Sequence, residues 1–222
     1  MGKLIVLEGT DGSGKSTQME RLKSRLEQEQ VAFRRLRFPQ YEQESSALIR
    51  MYLGGRFGHK PDDVNPYAAS TFYAVDRFAS YAADWKDYYE QGGLLISDRY
   101  TTSNAVHQGG KMADAEQADF FRWLYDFEFG KMRLPKPDLV IFLDMPTELT
   151  EQLMRHREQD TNTKADIHEQ DMAYLAACRK TASRAAEFYG WKTVHCAKDG
   201  KIRSIDDIHE EIYALVKKCM EA

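Results

Sequence analysis

The chain has 222 residues, of which 42% are hydrophobic and 30% are charged. This composition supports a hydrophobic core without disulfide or metal staples, and the length predicts one domain or at most two. The formal net charge is −4, and Lys and Arg form no long run, which argues against a protein that coats a nucleic-acid polymer. A small polyphosphate ligand stays compatible, because it needs only a local pocket of positive charge.

The cysteines and the apolar runs indicate the compartment. Cys178, Cys196 and Cys219 are odd in number and lack C-x-x-C spacing, which favours free thiols in a reducing environment. The apolar run at the N-terminus, about five residues long, is too short for a signal peptide. No run approaches the ~20 residues of a membrane span. We therefore predict a cytoplasmic protein with no membrane partner.

The first predicted strand, residues 3–7, leads into a glycine-rich loop and then into a helix with apolar residues at helical spacing. The loop matches G-x-x-x-x-G-K-[ST] in the context that this pattern requires. We expect its backbone N–H groups to form a nest for phosphates, Lys15 to reach the β and γ phosphates of a nucleotide, and the Ser16 hydroxyl to bind Mg²⁺. The alternative is a glycine turn that only joins strand to helix. The phosphate loop consists of Gly9, Thr10, Asp11, Gly12, Ser13, Gly14, Lys15, Ser16 and Thr17.

The middle of the chain alternates between predicted strands and helices. Residues 32–38 predict a second strand that ends before Pro39. Asn65 is a candidate N-cap for a long helix that continues to residue 89. Residues 94–97 predict a buried strand with Asp98 at its carboxyl end. Shorter helices are predicted over residues 44–53, 103–108 and 114–129.

The last third of the chain continues this alternation. Residues 139–143 are the most apolar segment and predict a central strand. The final helix is predicted to begin at Ser204 or Asp206. Its apolar face is predicted to carry Ile205, Ile208, Ile212 and Leu215. The other elements are a helix from 147 to about 157, a polar segment at 158–164, a long helix to residue 189 and a strand at 193–196.

Strands that alternate with helices predict an α/β fold with a five-stranded parallel sheet and helices on both faces, within a single domain over residues 1–222. Ligands of such sheets bind beyond the carboxyl ends of the strands. We therefore expect the phosphate loop, Pro39, Asp98 and the residues after Leu143 at one crevice.

Several side chains at the predicted strand ends suit phosphate chemistry. Asp98 is placed to hold a metal ion or act in catalysis, although a strand-end Asp alone is more often a turn or a helix cap. Arg99 suits a bridge between two phosphate groups, and the alternative is a surface ion pair. Arg37, Phe38 and Tyr41 suit a second phosphate-bearing ligand, whereas Phe38 alone is more often core.

Two further groups are candidate ligand contacts. Tyr73, Asp76 and Arg77 share a helical face, where a ring can stack on a planar base while a guanidinium donates hydrogen bonds. The periodicity alone favours a face that packs into the hydrophobic core. Arg155 and Arg157 border the polar segment, where cations can close over a phosphate, and the alternative is a solvated helix end. None of the six histidines has metal-site spacing, so Mg²⁺ that arrives with the nucleotide is the only metal predicted.

Taken together, these motifs resemble the thymidylate kinase family, whose members transfer the γ-phosphoryl group of ATP to dTMP. The resemblance covers nearly the whole chain. Its most specific parts are the acidic residue inside the phosphate loop and the Asp-Arg-Tyr motif with the residues that follow it. The matching motifs are Gly9-x-Asp11-x-x-Gly14-Lys15-Ser16-Thr17, Arg37-Phe38-Pro39, Tyr73-x-x-Asp76-Arg77, Asp98-Arg99-Tyr100-x-x-Ser103-Asn104-x-x-His107-Gln108-Gly109 and Pro135-Lys136-Pro137-Asp138-Leu139.

The resemblance implies a P-loop kinase fold with a lid near residues 155–168. It implies Mg²⁺ bound with ATP, held by Ser16 and Asp98, and a homodimer, because the family is usually dimeric. The catalytic residues that it implies are Lys15, Asp98, Arg99, Arg155 and Arg157.

The resemblance also implies contacts to each nucleotide. Asp11 is implied to contact the sugar 3′-hydroxyl of dTMP, and Arg37 and Arg99 to hold its phosphate. Tyr73, or the adjacent Phe72, is implied to stack on thymine. The other implied contacts are Phe38, Pro39, Tyr41, Arg77, Ser103, Asn104, His107 and Gln108 for dTMP, and Ala197 and Lys198 for the adenine of ATP.

Two positions depart from the family pattern, and two alternative functions stay open. Some members carry an arginine where this chain has Gly12, so the compensating cation is expected from Arg155 or Arg157. His107 occupies the position of a Tyr or Phe ring that excludes a 2′-hydroxyl, which leaves discrimination against ribonucleotides open. The alternatives are a kinase for another nucleoside monophosphate or a deoxynucleoside, and an ATP-gated interaction protein.

Overall fold

The structure, a computed structural model, describes residues 1–150, 153 and 172–222. Its five longer strands are β1 (Lys3–Gly9), β2 (Phe33–Arg37), β3 (Leu94–Asp98), β4 (Leu139–Asp144) and β5 (Lys192–His195). They form one sheet in the order β2-β3-β1-β4-β5, which confirms the predicted five-stranded parallel sheet.

The helices follow the predicted pattern closely. Asn65 is the N-cap that the sequence predicts, because its Oδ1 accepts a hydrogen bond of 2.8 Å from the Tyr67 N–H. In the part of the chain that the structure describes, no helix is both long and apolar enough to cross a lipid bilayer. The α-helices with both ends among the described residues are α1 (Lys15–Gln28), α2 (Ala47–Leu53), α3 (Pro66–Ser80), α4 (Lys86–Glu90), α5 (Thr101–His107), α6 (Gln117–Tyr125), α7 (Met172–Tyr189) and α8 (Ile205–Glu221). Residues 147–150 are also helical, where the helix from 147 to about 157 is predicted to begin, and most of its remainder lies outside the described residues.

The chain divides into two compact units. The first unit comprises Met1–Val6 and Phe33–Asp138, and the second comprises Leu7–Ala32 and Leu139–Ala222. Strand β1 contributes residues to both units. Its side chains from Leu4 to Leu7 are fully buried, as expected for a strand inside a parallel sheet.

The first unit is built on the pairing of β2 with β3. The two strands are parallel and in register from Phe33 opposite Leu94 to Arg37 opposite Asp98. All five residues of β3 are buried, so this strand carries polar side chains into the protein at its carboxyl end. Two π-helical turns extend the helices of this unit, Tyr81–Trp85 after α3 and Asp126–Lys131 after α6.

The second unit pairs β4 with β5, in parallel and in register from Ile141 opposite Lys192 to Asp144 opposite His195. The last helix corrects one prediction. Ile208 and Ile212 are buried as predicted, but Ile205 is 48% exposed and Leu215 is only half-buried, whereas Tyr213 and Val216 are buried. Ile205 is exposed because it is the first helical residue, directly after the Ser204 N-cap at the end of the helix.

Candidate active site

The phosphate loop joins β1 to α1 in the second unit. Gly12 and Gly14 have positive φ values of 76° and 84°, which L side chains rarely adopt. Gly9 is required for another reason, since a Cβ there would lie 2.4 Å from the Ser13 Oγ. Lys15 is the first residue of α1, and its side chain is buried. These features form the strand–loop–helix arrangement that the sequence predicts. The ligand-binding roles of Asp11, Ser16 and the rest of the loop remain predictions.

Glu8, the residue immediately before this loop, is a part of the site that the sequence did not predict. Its side chain is fully buried, and its Oε1 accepts a hydrogen bond of 2.9 Å from the Gly9 N–H. Glu8 therefore fixes the backbone at the point where β1 turns into the loop. A charged residue inside an otherwise apolar strand was the available signal, because such a residue is rarely buried without partners.

Ala197 and Lys198, the predicted adenine contacts, form a two-residue strand rather than a simple loop. Strand β6 (Ala197–Lys198) pairs antiparallel with β7 (Lys201–Ile202). Asp199 and Gly200 between them both have positive φ, 51° and 72°, as in a type I′ turn. The backbone is therefore more regular here than predicted.

In the first unit, the register of β2 and β3 brings Arg37 and Asp98 side by side. The Arg37 Nε lies 3.9 Å from the Asp98 Oδ2, and the Phe38 N–H donates a hydrogen bond of 3.1 Å to the Asp98 carbonyl oxygen. The Arg37 side chain is 75% exposed, whereas that of Asp98 is 8% exposed. The pair therefore offers an accessible cation beside an inward-facing carboxylate. The Phe38–Pro39 peptide bond is cis.

Arg99 follows β3 directly and folds over α5. Its backbone has a positive φ of 67°, which is uncommon for a residue with a side chain. Its Nη1 lies 3.0 Å from the His107 Nε2 and 3.4 Å from the Ser103 Oγ. A guanidinium only donates hydrogen bonds, so in this contact the acceptor is the His107 Nε2. His107 thus helps to orient the Arg99 side chain.

The predicted face of α3 divides into two environments. Asp76 is buried and accepts hydrogen bonds from the Gln40 N–H at 2.9 Å and from the hydroxyls of Ser45 and Ser46 at 2.7 Å each. Arg77 is also buried, and its Nε and Nη2 donate to the carboxylate of Glu128. Asp76 therefore supports the loop after β2, and most of the donor capacity of Arg77 is used within the protein.

The two candidate stacking rings lie in one aromatic cluster. Phe72 packs against Tyr52 and Phe57, with ring centroids 6.3 and 5.7 Å apart, and Tyr73 contacts the same cluster. Burial raises the pKa of the Tyr73 hydroxyl well above its usual range. Because its hydroxyl remains protonated, Tyr73 offers an uncharged ring with one donor. The geometry leaves both rings as candidates.

Polar side chains of α5 and of the turn after it lie next to these rings. The Asn104 Nδ2 donates a hydrogen bond of 3.2 Å to the Ser70 carbonyl oxygen, which ties α5 to α3. Gln108 is buried beside the Tyr52 hydroxyl, which also accepts a hydrogen bond of 2.5 Å from the Lys111 Nζ. Two buried atoms in this region, the Gln108 Oε1 and the Ser70 Oγ, have no hydrogen-bond partner among the described residues. Ser70 was not predicted and adds a second unsatisfied polar group here.

An open cavity of about 1000 Å³ borders the loop after β2. Arg37, Pro39 and Tyr41 line it on one side, and Ala83 and Asp84 line it on another. The loop residues that the sequence predicts as acceptor contacts therefore border open space. Arg155, Arg157 and the lid at 155–168 lie outside the described residues.

A second charged cluster, absent from the prediction, lies at the carboxyl end of β4. Asp144 accepts hydrogen bonds from the Arg179 Nε at 2.7 Å and the Arg179 Nη2 at 3.3 Å, and its Oδ2 is 3.1 Å from the His195 Nδ1. Burial works to raise the pKa of Asp144, but the hydrogen bonds from Arg179 and His195 outweigh it and hold that pKa below its usual value. In the part of the chain described, no group of three acidic, His or Cys side chains is arranged to hold a metal ion.

Comparison with known proteins places this architecture in one family. A family model described as thymidylate kinase matches residues 7–212. Thymidylate kinase of Mycobacterium tuberculosis (strain ATCC 25618 / H37Rv) is 32% identical over 170 residues, which are 76% of this chain and 78% of that protein. Thymidylate kinase of Homo sapiens is 29% identical over 218 residues, covering 96% of this chain and 89% of the relative.

A solved structure supports the fold independently. The structure of thymidylate kinase from Candida albicans superimposes with a TM-score of 0.72 at 21% identity, over 99% of this chain and 93% of that one. The similarity of fold agrees with the extent of the family match. The chain belongs to the thymidylate kinase family.

Proposed function

We propose that this protein transfers the γ-phosphoryl group of ATP to dTMP, giving dTDP and ADP. The observation that carries the proposal is the pairing of Arg37 with Asp98 at the ends of β2 and β3, followed directly by Arg99. Two cations beside a buried carboxylate suit the phosphate of an acceptor nucleotide, because phosphoryl transfer depends mainly on alignment and on compensation of charge.

The donor nucleotide is assigned to the phosphate loop. The left-handed glycines turn backbone N–H groups toward a bound phosphate, and Lys15 adds a positive charge at the start of α1. Ala197 and Lys198 are assigned to the adenine ring, as the family resemblance implies. Arg155 and Arg157 are assigned to charge compensation at the transferred group.

The acceptor nucleotide is assigned to the first unit. Arg37 and Arg99 hold its phosphate, and Tyr73 or Phe72 stacks on the base. Arg77 and Gln108 supply hydrogen bonds to the base edge. A guanidinium donor pairs with the 4-oxo group of thymine and stays unpaired against the 4-amino group of cytosine, which favours dTMP over dCMP.

Mg²⁺ bound with ATP fits the chemistry of the available donors. This ion prefers oxygen ligands and takes most of them from phosphates and water, so one or two protein oxygens are sufficient. The Ser16 hydroxyl is exposed at the start of α1, and the Asp98 carboxylate faces inward at the end of β3. When bound, the metal neutralises charge on the β and γ phosphates.

We also propose that the protein is a cytoplasmic homodimer. The support for the dimer is an exposed apolar pair on α3, Val75 and Phe78, which lie one turn apart and are 46% and 44% exposed. Cys178, Cys196 and Cys219 form no disulfide in the described structure, which suits a reducing compartment. Light scattering on wild type and on Phe78→Asp tests the dimer, because the charge should shift the mass toward the monomer.

The function is tested by ADP release with ATP and a panel of acceptors: dTMP, dUMP, UMP, dCMP, AMP and GMP. The expected result is the highest kcat/KM with dTMP. A higher value for another monophosphate would reassign the acceptor. ATP turnover that does not depend on any monophosphate would instead favour the ATP-gated interaction protein.

A further inference from the structure

The feature that the proposed chemistry leaves unexplained is a buried ion pair between α3 and the π-helical turn Asp126–Lys131. The Arg77 Nε donates to the Glu128 Oε2 at 2.7 Å, and the Arg77 Nη2 donates to the Oε1 at 2.5 Å. The two side chains are 2% and 0% exposed. Thr101, the first residue of α5, adds a third hydrogen bond, from its Oγ1 to the Glu128 Oε2 at 2.6 Å.

This bidentate contact fixes the plane of the guanidinium. Two parallel N–H···O bonds leave little rotation about the end of the side chain. The third nitrogen, Nη1, is directed elsewhere and lies 3.5 Å from the Tyr100 carbonyl oxygen. A hydrogen bond of that length is weak, so a better-placed acceptor atom competes with it readily. Arg77 is thereby left with one donor edge for another partner.

The surroundings of the pair suit a role beyond stability. A buried ion pair is weak evidence for stability, because well-packed apolar residues often replace one without loss. Glu128 sits in a π-helical turn, a distortion that is frequent at functional sites. Arg77 lies one helical turn after Tyr73, and its Cζ is 6.0 Å from the Tyr100 ring centroid. The fixed guanidinium thus lies beside the Tyr100 ring and on the same helical face as Tyr73, the candidate stacking ring.

We propose that Glu128 is a positioning residue for acceptor recognition. It holds Arg77 so that the N–H groups not bonded to Glu128 are presented to the 4-oxo group of the pyrimidine, and Thr101 holds Glu128 in turn. This inference rests on the proposed function, in which Arg77 contacts the base. A guanidinium fixed in this way donates to a carbonyl acceptor, whereas a 4-amino group leaves its buried N–H groups unpaired.

The test is Glu128→Gln, assayed for kcat and KM with dTMP and with dCMP. A lost hydrogen bond from a charged donor changes an equilibrium constant by about ten- to a hundredfold, so KM for dTMP should rise by about tenfold or more. Because the contact binds substrate and transition state alike, kcat should stay within about twofold. The ratio of kcat/KM for dTMP over dCMP should fall by about tenfold, while KM for ATP stays unchanged.

Two control variants separate positioning from stability. Glu90→Gln makes the same chemical change in a surface pair, where the Lys86 Nζ is 3.9 Å away, and should leave all parameters unchanged. Ser80→Ala removes the acceptor of the buried Trp85 Nε1–H, a hydrogen bond of 3.1 Å. It should lower the melting temperature without changing the dTMP/dCMP ratio.

Thr101→Val keeps the ion pair and removes one hydrogen bond from Glu128. It should shift KM for dTMP in the same direction by about two- to fivefold, and it decides the question if Glu128→Gln does not fold. A Glu128→Gln enzyme that is less stable but keeps its dTMP KM and its dTMP/dCMP ratio would overturn the positioning role. So would a folded Thr101→Val enzyme with wild-type kinetics. Failure of the wild type to use dTMP would instead overturn the proposed function itself.

Discussion

Replacing Asp76 with alanine tests whether this residue supports the loop after β2. The sequence groups Asp76 with Tyr73 and Arg77 on one helical face, whereas the structure turns its carboxylate toward the loop. Its oxygens accept hydrogen bonds from the Gln40 N–H, the Ser45 hydroxyl and the Ser46 hydroxyl. Asp76→Ala removes all three at once.

The expected loss of stability follows from how exposed the three donors are. Gln40 and Ser45 are partly exposed, so both can bind water after the change and contribute little to the loss. The Ser46 side chain is fully buried, and its hydroxyl is left unsatisfied. An unsatisfied buried group together with a lost charged hydrogen bond gives about 2–4 kcal/mol. For a chain of this length that corresponds to a fall in Tm of about 5–15 °C.

Urea unfolding followed by tryptophan fluorescence measures this loss, and Asp84→Ala is the matched control. Asp84 also pairs with a partner, the Arg34 Nη2 at 2.7 Å, but its side chain is 52% exposed. The control should therefore lose no more than about 1 kcal/mol. Because the loop carries Pro39 and Tyr41, Asp76→Ala should also raise KM for dTMP. A free energy of unfolding within about 0.5 kcal/mol of wild type would refute the supporting role.

Three further variants test the remaining assignments. Lys15→Met should lower kcat by about 10²–10³ or more with unchanged Tm, and near-normal turnover would remove Lys15 from the mechanism. His107→Phe should raise KM for dTMP by about tenfold because Arg99 loses the contact to the His107 Nε2, whereas His107→Gln should retain most binding through its amide oxygen. Equal effects of the two changes would contradict the contact. Asp144→Asn should be less stable than wild type at neutral pH. That difference should begin to shrink as the pH falls below about 3.9, the unfolded value, and should be lost as acid protonates the carboxylate at its lowered pKa in the folded protein. Urea unfolding between pH 7 and pH 3 measures it, and a pH-independent difference would contradict the assignment.

Local signals were sufficient for much of the fold. The phosphate loop, the Asn65 cap and the buried strand before Asp98 each follow from residues that are close in sequence, because turn chemistry and apolar periodicity act over a few residues. The hairpin at residues 197–202 was missed although Asp199-Gly200 is a strong turn signal. Its strands have two residues each, too few for any periodicity to appear.

Local sequence signals could not predict which partners the charged residues bind. Glu128 lies 51 residues from Arg77, and Asp76 binds donors 30 to 36 residues away. A buried carboxylate and a solvated one look alike in sequence, since only the folded chain determines which cation or amide faces it. The same limit explains why the roles of Arg77 and Asp76 were assigned to one face although they serve different purposes.

The different partners of Asp76 and Arg77 on α3 also determine how the acceptor site is held in place. Asp76 and Arg77 are adjacent residues, yet one binds the loop after β2 and the other binds the turn after α6 through Glu128. A ligand contact on this helix is therefore held from two directions by buried, charge-assisted hydrogen bonds. Such bonds lose much of their strength when donor and acceptor are displaced or misaligned. Variants of Asp76 should consequently raise KM for every monophosphate acceptor, whereas variants of Glu128 should act mainly on the choice of base.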